Sequence, residues 1–580
     1  MCGIAGLMMR DGTAPDPAVL DRLRDAIAHR GPDGHGRLVR GNVALVHNRL
    51  AIIDLVTGDQ PLFAPSGAAL VCNGEIYNNP ELRQAMPHTP FRTGSDCEPA
   101  LWLYEQEGDG FADRLRGMYA LAIHDPARGR LVLARDPFGI KPLYYITTQA
   151  LVAFASEPQA LLAAGFGGRS PDPTARAELL GLKFTTGSAT IFPGIRRVLP
   201  GETLIFGPSG PPTSRRRRAL PEGGPVPIQT AAALKRLDEV LLDSVTVHLR
   251  SDVPYGLFLS GGIDSAAVLA LMARATGQRI QALTCGWEGA AGIDETAEAQ
   301  RLAAAMGADC HRLEMGPGDF WRLAPRIAAS IDDPTADAAI LPTWMLGKAA
   351  AGNLKVTLCG EGADELFGGY SRYRKRRAPW RWLTRKPRSK GVLGDFGDWR
   401  SGIAAAEAAE APGRSAVQAA QAVDIAEWLP NDLLTKLDRC LMAHGVEGRT
   451  PFLDPVVAEF AFRLPDARKV GPRFGKKLLR DWLAQAFPQA GAYARKKGFK
   501  PPVGAWMQAR AELLARLVAA QPGIAEILDK PLIEKAFAEA DRNSQRAWSL
   551  LYYALWHSHH VMRLPADGDI GETLSLAARG

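Results

Sequence analysis

The 580-residue chain is too long for a single hydrophobic core, so two or three domains are expected. Apolar residues make up 46% and charged residues 23%, which excludes a disordered chain, and no apolar run reaches the ~18 residues of a membrane-spanning helix. The formal charge of +7 leaves nucleic-acid binding open, but the basic residues are spread widely, and their densest cluster, SRRRR at 214–218, lies in a Pro/Gly-rich stretch that reads as a solvated linker.

The first residues, MCGIAG, place a cysteine directly behind the initiator methionine. Removal of Met1 would leave Cys2 with a thiol and a free α-amine, groups whose ordinary pKa values of about 8.5 and about 8 suit a nucleophile and its own base. From these six residues alone, a merely permissive second position is the plainer reading, and the rest of the chain decides. The following MRDGTAPD brings no basic segment followed by an apolar one, which predicts a cytoplasmic protein. The seven cysteines, at 2, 72, 97, 285, 310, 359 and 440, form no CxxC pair. Neither a disulfide framework nor a zinc site is suggested, and a metal would be held by oxygen.

From about 42 to 159, short β-rich runs alternate with turns, HDPARGR reads as a hairpin, and helical patterns intervene at 16–29 and about 96–108. This predicts a layered α+β domain with antiparallel sheets. Residues 207–228, GPSGPPTSRRRRALPEGGPVPI, read as a linker. The period then becomes helical in TAAALKRLDEVLLDSVTVHLR, followed by strand, loop, helix and strand in VPYGLFL, SGGIDS, AAVLALMARATG and IQALTC, with a further strand at KVTLC. Short buried strands alternating with helices predict a parallel sheet with ligands at the strands' carboxyl ends. After about residue 400 the chain is mostly Ala- and Leu-rich helix.

The most specific short stretch is LFLSGGIDSAAV at 257–268. A strand ends at Leu259, Gly261 and Gly262 admit a ligand close to the backbone, and Ser260 and Ser265 flank the start of a helix whose free N–H groups favour an anion. This predicts a pyrophosphate or nucleotide cradle without the lysine of a GxxxxGK[ST] loop. Asp264 either caps that helix or holds Mg²⁺ on pyrophosphate. KVTLCGEGADELFGGY at 355–370 repeats the logic, gathering Glu361, Asp364 and Glu365 where a strand ends; a solvated acidic turn is the alternative to cation binding.

Taken together, these stretches resemble the glutamine-dependent asparagine synthetase family over nearly the whole chain. The shared landmarks, in order, are CGIAG, HRGPDG (29–34), RLAIIDL (49–55), NGEIYN (73–78), GSDCE (94–98), RDPFGIKPLYY (135–145), LSGGIDS (259–265), GEGADELFGGY (360–370) and RTPFLD (449–454). The resemblance implies an N-terminal-nucleophile glutaminase at 2–206, the linker at 207–228, and an α/β ATP-pyrophosphatase-like synthetase with a helical extension at 229–580. Cys2 would attack the glutamine amide, with the oxyanion held by Gly74 N–H and the Asn73 amide. Arg49 would bind the α-carboxylate, Glu75 and Asp96 the ammonium, and backbone atoms of Leu50, Ala51, Ile52 and Ile53 would line the pocket. In the second half, ATP and aspartate would give β-aspartyl-AMP and pyrophosphate, and ammonia would displace AMP. Leu259 and Cys285 would frame adenine; Ser260, Gly261, Gly262, Asp264 and Ser265 would form the pyrophosphate loop; Cys359 and Gly360 would touch AMP. Glu361 matches the family's critical acid, Asp264 and Asp364 are candidates for Mg²⁺, and Lys476 in GKKLLR, or its neighbour Lys477, matches a lysine that steadies phosphate charge.

Free ammonia would become mostly ammonium in bulk water, so an internal, largely apolar passage between the sites is implied. The family often dimerises, which makes a homodimer an expectation here; neither a nucleic-acid nor a membrane partner is implied. This chain departs from the usual motifs at Ile263, Ala266 and Cys359, the last replacing a serine that would face the nucleotide. Three readings compete: amidation of aspartate, amidation of another carboxylate on a sugar, peptide or envelope precursor, and modification of a nucleic acid. The motifs fix activation of a carboxylate better than they fix its owner.

Overall fold

The computed structural model describes residues 2–289, 294–376, 391–394, 397–494 and 500–579. Its amino-terminal half is built on two six-stranded sheets whose paired strands run antiparallel. Strict alternation of side chains explains why the sheets stack. In Gly3–Met9, Ile4 and Met8 face the second sheet, while Ala5 and Leu7 face the Pro17–Ala26 helix. In Ala69–Ile76, Ala69 and Val71 face the first sheet, while Leu70 and Cys72 face the Glu98–Glu107 helix. Every strand with both faces covered becomes almost wholly apolar, and four layers result. Asp16 caps the first helix by accepting from Ala18 N at 2.9 Å, with Pro17 at its first position. The HDPARGR turn is a hairpin, closed by the Asp125 and Arg130 pair.

The stretch read as a linker is more ordered than its composition predicts. Thr213–Arg216 forms an edge strand paired with Glu202–Phe206, and Arg217 donates through Nη1 to the carbonyls of Ala112 and Leu115. The alternation signal is lost because all four strand residues are exposed. Long arginine stems suit such an edge, burying methylenes while their heads stay wet.

The carboxy-terminal half carries a five-stranded parallel sheet in the order Asp309–Met315, Gln281–Trp287, Tyr255–Phe258, Val356–Leu358, Glu447–Arg449. The chain winds outward from Tyr255–Phe258 in one direction and then returns to its other side, so the switch point lies between Tyr255–Phe258 and Val356–Leu358. The two glycine-rich motifs leave these two neighbouring strands at their carboxyl ends. Two strands escape the apolar pattern: Asp309–Met315 is a largely polar edge, and Glu447–Arg449 has only three residues inside a helical region.

The halves are joined by buried charge. Arg30, fully buried, donates to Glu157 at 2.7 Å and through both Nη atoms to Asp438 at 2.8 and 3.0 Å. Arg439, paired with Asp332 of its own half at 2.8 Å, also reaches the Tyr144 hydroxyl and the Ser156 carbonyl of the first half at 3.4 Å, and Arg197 holds both oxygens of Asp333 at 2.6 and 2.8 Å. Around them, Leu50, Ile52, Tyr77 and Met118 from the first half share one apolar cluster with Val245, Leu257, Met442 and Phe452 from the second. Removing one partner of a buried pair strands the other, so Asp333→Ala should cost about 3–5 kcal/mol, seen as a lower apparent Tm. Arg215→Ala, which breaks an exposed pair with Asp113, should cost under ~1 kcal/mol in the same melt.

Candidate functional site

Cys2 directly precedes the central strand Gly3–Met9 and lies buried. Its backbone nitrogen donates to Asn73 Oδ1 at 3.0 Å, and its Sγ lies 4.0 Å from the Leu50 carbonyl. Burial pushes the thiol up to about 11, so a thiolate needs a base close by. Asn73 is wholly buried, and its Nδ2 has no protein hydrogen-bond partner. A buried, unspent amide donor beside a thiol is a ready position for an oxygen that gains charge. At Gly74 a Cβ would come within 2.2 Å of the Met118 carbonyl and 2.6 Å of Tyr119 Cα, so only glycine permits this pairing of strands.

Glu75, Asp96 and Ile53 line a cavity of about 290 Å³ together with Tyr77, Arg250 and Asp252. Burial raises Asp96 to about 6; Glu75 is pushed well above its ordinary range, first by burial and then by the neighbouring Asp96 charge. Arg449, from the other half, partly offsets them at 3.4 Å from Glu75. Two crowded carboxyl groups open to a cavity favour a cationic guest. Arg49 does not line that cavity: its Nη1 pairs with Asp59 at 2.8 Å, and its Nη2 reaches the Ile53 and Asp54 carbonyls. A ligand carboxylate would have to displace Asp59, whose side chain is 81% exposed and therefore weakly held. Ala51 N donates to Asp33, and the Ile52 carbonyl accepts from Asp252 N at 3.0 Å, which fixes the 49–53 loop across the domain boundary.

At the second site, Ser265 Oγ accepts from Ser260 N at 3.1 Å while Ser260 Oγ accepts from Gly262 N at 3.1 Å, curling the loop around its own hydroxyls. Gly261 lies against Glu298, and a Cβ on Gly360 would come 2.9 Å from Asp264 Cβ, so the two strand-end loops touch. Leu259, Cys285 and Cys359 turn their side chains into the core and offer the ligand only backbone. Cys359 shares an apolar cluster with Leu437, Cys440 and Leu441, where burial raises its thiol. The sequence-based concern that it replaces a hydroxyl facing the nucleotide therefore loses force, since the thiol is packed as a small apolar group.

Lys476 Nζ bridges Asp264 Oδ2 at 2.5 Å and Asp364 Oδ1 at 2.7 Å, whereas Lys477 pairs with Asp481 on its own helix. A Cβ at Gly369 would collide with both Asp364 Oδ1 and Lys476 Cε, so the glycine makes room for the bridge. Asp264 Oδ1 is buried without a partner. Two carboxylates with a spare oxygen fit Mg²⁺ arriving with phosphate, which needs few protein ligands; among the described residues no group of three or more His, Cys, Asp or Glu forms a metal cage. Glu361 Oε1 lies 3.8 Å from Lys436 Nζ, which also faces Asp337 at 3.4 Å.

Lys436 and Asp337 lie outside the motifs, and Arg449 opens RTPFLD without having been given a role there. For Lys436 the signal is the run KLDR at 436–439, three charges in a helix that is buried on every side.

A family model described as Asparagine synthase matches residues 236–558, and one described as Glutamine amidotransferase domain matches 1–215. The fold and these two sites define a two-domain, glutamine-dependent amidotransferase ligase with an N-terminal-nucleophile first domain. The chain belongs to the asparagine synthase family. It is 30% identical to Asparagine synthetase [glutamine-hydrolyzing] 1 of Bacillus subtilis (strain 168) across 97% of both chains. It is 29% identical to Asparagine synthetase B [glutamine-hydrolyzing] of Escherichia coli (strain K12) across 90% of this chain and 86% of that one. It is also 33% identical to Amidase chry2 of Gibberella zeae over 64% of this chain and 60% of that protein. No described helix is long and apolar enough to cross a membrane.

Lys476→Met should lower ATP-dependent pyrophosphate release by roughly 10²-fold or more, while Lys477→Met stays within about twofold, measured side by side in a pyrophosphate assay. A second prediction concerns Glu365, which burial and then the Asp364 charge raise from 4.5 to about 8, against the Tyr370 hydroxyl that donates to it at 2.7 Å. The folded protein thus holds a proton that the unfolded chain releases near pH 4.5. Stability from this group is full below that pH and declines as pH rises through about 8. Glu365→Gln should flatten that decline in Tm measured from pH 5 to 9.

Proposed function

We propose that the protein makes asparagine from aspartate, with glutamine as nitrogen donor and ATP as activator. The observation that carries the reading is the single buried body joining the two sites. Arg30 donates to the Cys2 carbonyl and to Asp438, and the helix holding Asp438 also sets Lys436 against Glu361.

With Met1 removed, the Cys2 amine takes the thiol proton as sulfur attacks the glutamine amide carbon. The Asn73 Nδ2 donor and the Gly74 N–H receive the oxyanion, and Glu75 and Asp96 hold the substrate ammonium. The Cys2 ammonium returns this proton to the amide nitrogen as the C–N bond breaks, ammonia departs, and water later cleaves the thioester. In the second site an aspartate β-carboxylate oxygen attacks the α-phosphorus of ATP and pyrophosphate leaves. Ammonia then attacks the acyl carbon, the C–O bond to AMP breaks, and asparagine forms. Ser260, Gly261, Gly262 and Ser265 cradle pyrophosphate, Lys476 offsets its charge, and Glu361 stands beside the acyl adenylate. Mg²⁺, held by Asp264 and Asp364 when bound, would neutralise charge on the departing pyrophosphate. The buried contact between halves supports internal transfer of ammonia, because bulk water would protonate it.

A second reading, amidation of a different carboxylate by the same two steps, is favoured by the similarity to proteins named as amidases, Amidase chry2 among them. ATP-dependent release of AMP and pyrophosphate, measured with glutamine and with or without aspartate on protein shown by mass to have lost Met1, decides between them. Aspartate-dependent AMP matched by asparagine is the expected result; glutaminase activity without it overturns the assignment. Cys2→Ala should lower glutamine-driven synthesis by roughly 10³-fold or more and leave ammonia-driven synthesis within about threefold.

A further inference from the structure

Arg49 is buried, yet the one carboxylate it pairs with among the described residues stands in solvent: Asp59 Oδ1, 2.8 Å from Nη1, belongs to a side chain that is 81% exposed. The guanidinium groups of the domain interface differ in this respect, since Arg30, Arg197 and Arg439 pair with carboxylates that are themselves buried. A buried cation needs a counter-charge, and an exposed carboxylate is a loosely held one. The rest of the Arg49 head is fixed. Nη2 donates to the Asp54 carbonyl at 2.5 Å and approaches the Ile53 carbonyl at 3.5 Å, which leaves Nη1 to Asp59.

The chain on either side of Asp59 is anchored. Asp54, left-handed at φ 54°, accepts through its carboxylate from Thr57 N at 2.9 Å and Gly94 N at 2.8 Å, and its carbonyl accepts from Gly58 N at 3.1 Å. A Cβ on Gly58 would come within 2.6 Å of Arg49 Nη2 and 2.7 Å of the Asp54 carbonyl, so glycine lets the loop pass this close. One residue beyond Asp59, Gln60 is buried, and its Oε1 accepts at 2.6 Å from Cys72 N, on the strand that carries Asn73 and Gly74. Asp59 is therefore a free side chain between two fixed residues. It can leave Arg49 by rotating about its own bonds, with no movement of the loop. The guanidinium it would uncover lies 3.5 Å from the carbonyl of Ile53, a residue that lines the cavity with Glu75 and Asp96.

We infer that Asp59 is an exchangeable counter-ion, which neutralises Arg49 in the resting protein, yields its place to the α-carboxylate of glutamine, and so sets the KM for the nitrogen donor. A ligand must bring its own carboxylate to release Asp59, because the buried guanidinium cannot be left bare. Small anions of the medium must compete with a carboxylate tethered at the site, and they lack the ammonium group that Glu75 and Asp96 would receive. Apparent affinity falls by the fraction of time that Arg49 is unpaired, so an exposed pair of ordinary strength lowers it by roughly three- to sixfold. The inference rests on the glutamine-dependent reaction proposed above and adds to it how the affinity for the donor is set.

Asp59→Asn provides the test, because it keeps the shape of the side chain and removes its charge. Glutamine hydrolysis is followed by glutamate release, with glutamine varied and sodium acetate added as a competing carboxylate; a thermal melt accompanies each protein. The KM for glutamine should fall by roughly three- to sixfold while kcat stays within about twofold. Acetate should raise that KM more steeply in Asp59→Asn than in the parent, since the tethered competitor is gone. Asp59→Glu, which restores a carboxylate, should return the KM toward that of the parent. A residue that merely supported the loop would give the opposite sign, a higher KM together with a lower Tm. A KM for glutamine that is unchanged or raised in a folded Asp59→Asn protein overturns the inference alone. Absence of glutamine hydrolysis by the parent protein overturns the proposed function and this inference with it.

Discussion

The buried guanidinium of Arg30 is the constraint on which the rest of the structure depends. A desolvated charge is tolerable only where its donors are met, and Arg30 meets them with the Cys2 carbonyl, Glu157 and both oxygens of Asp438. One side chain thereby ties the first residue of the nucleophile strand to a helix of the other domain. The relative placement of the domains becomes a condition for satisfying the charge, and any rotation between them would strand it. Asp438 responds in kind, its carboxyl held below its ordinary range by Arg30 despite burial. Arg439, the next residue, pairs with Asp332 of its own domain and reaches the Tyr144 hydroxyl and the Ser156 carbonyl of the other, so the helix Thr435–Met442 is anchored at adjacent positions.

That clamp explains why charge is placed so unevenly along one short helix. Leu437, Cys440 and Leu441 supply apolar packing, while Lys436, Asp438 and Arg439 are buried ions. Lys436 faces Glu361, whereas Asp438 and Arg439 reach across to the first half. A helix is stiff over two turns, so fixing Asp438 also fixes Lys436. The cost of desolvating these ions yields geometric specificity: the two sites are referred to one rigid element instead of to two independent loops.

Much of this was legible in the sequence, and the unread parts share a cause. The four-layer first domain follows from Gly3–Met9 and Ala69–Ile76, whose alternating residues needed two apolar faces. The strand-end loops at Ser260 and Gly360 announced themselves because glycines and hydroxyls cluster there for reasons of local chemistry. Asp309–Met315 and Glu447–Arg449 were missed because an edge strand is polar and a three-residue strand has no period to detect. The Thr213–Arg216 strand hid behind prolines and arginines for a similar reason. Lys436 pairs with Asp337 and Glu361, partners distant in sequence, and a pattern read locally carries no trace of such pairings. For Arg49 the sequence suggested the residue type, while the fold supplied a competing carboxylate, Asp59, that no motif contains.

The remaining step concerns how the fold makes the two chemistries compatible. A thiol nucleophile needs burial to exclude water from its thioester, yet burial raises the thiol and disfavours the ion that must attack. Under the proposed reaction the Cys2 amine would answer the raised thiol by taking its proton, and the Asn73 donor, buried without a partner, would meet the negative charge that moves onto oxygen. The second site solves the opposite problem, an excess of negative charge. Asp264 and Asp364 are held together by Lys476, whose backbone is left-handed at the start of its helix. Steric room for that lysine depends on Gly369, while Gly475 lets its own loop lie against the backbone of Gly368 and Gly369. In each site the unpaired polar atoms lie where the proposed reaction would change charge, and the surrounding sheets, with covered faces and apolar cores, supply the rigidity that keeps them there.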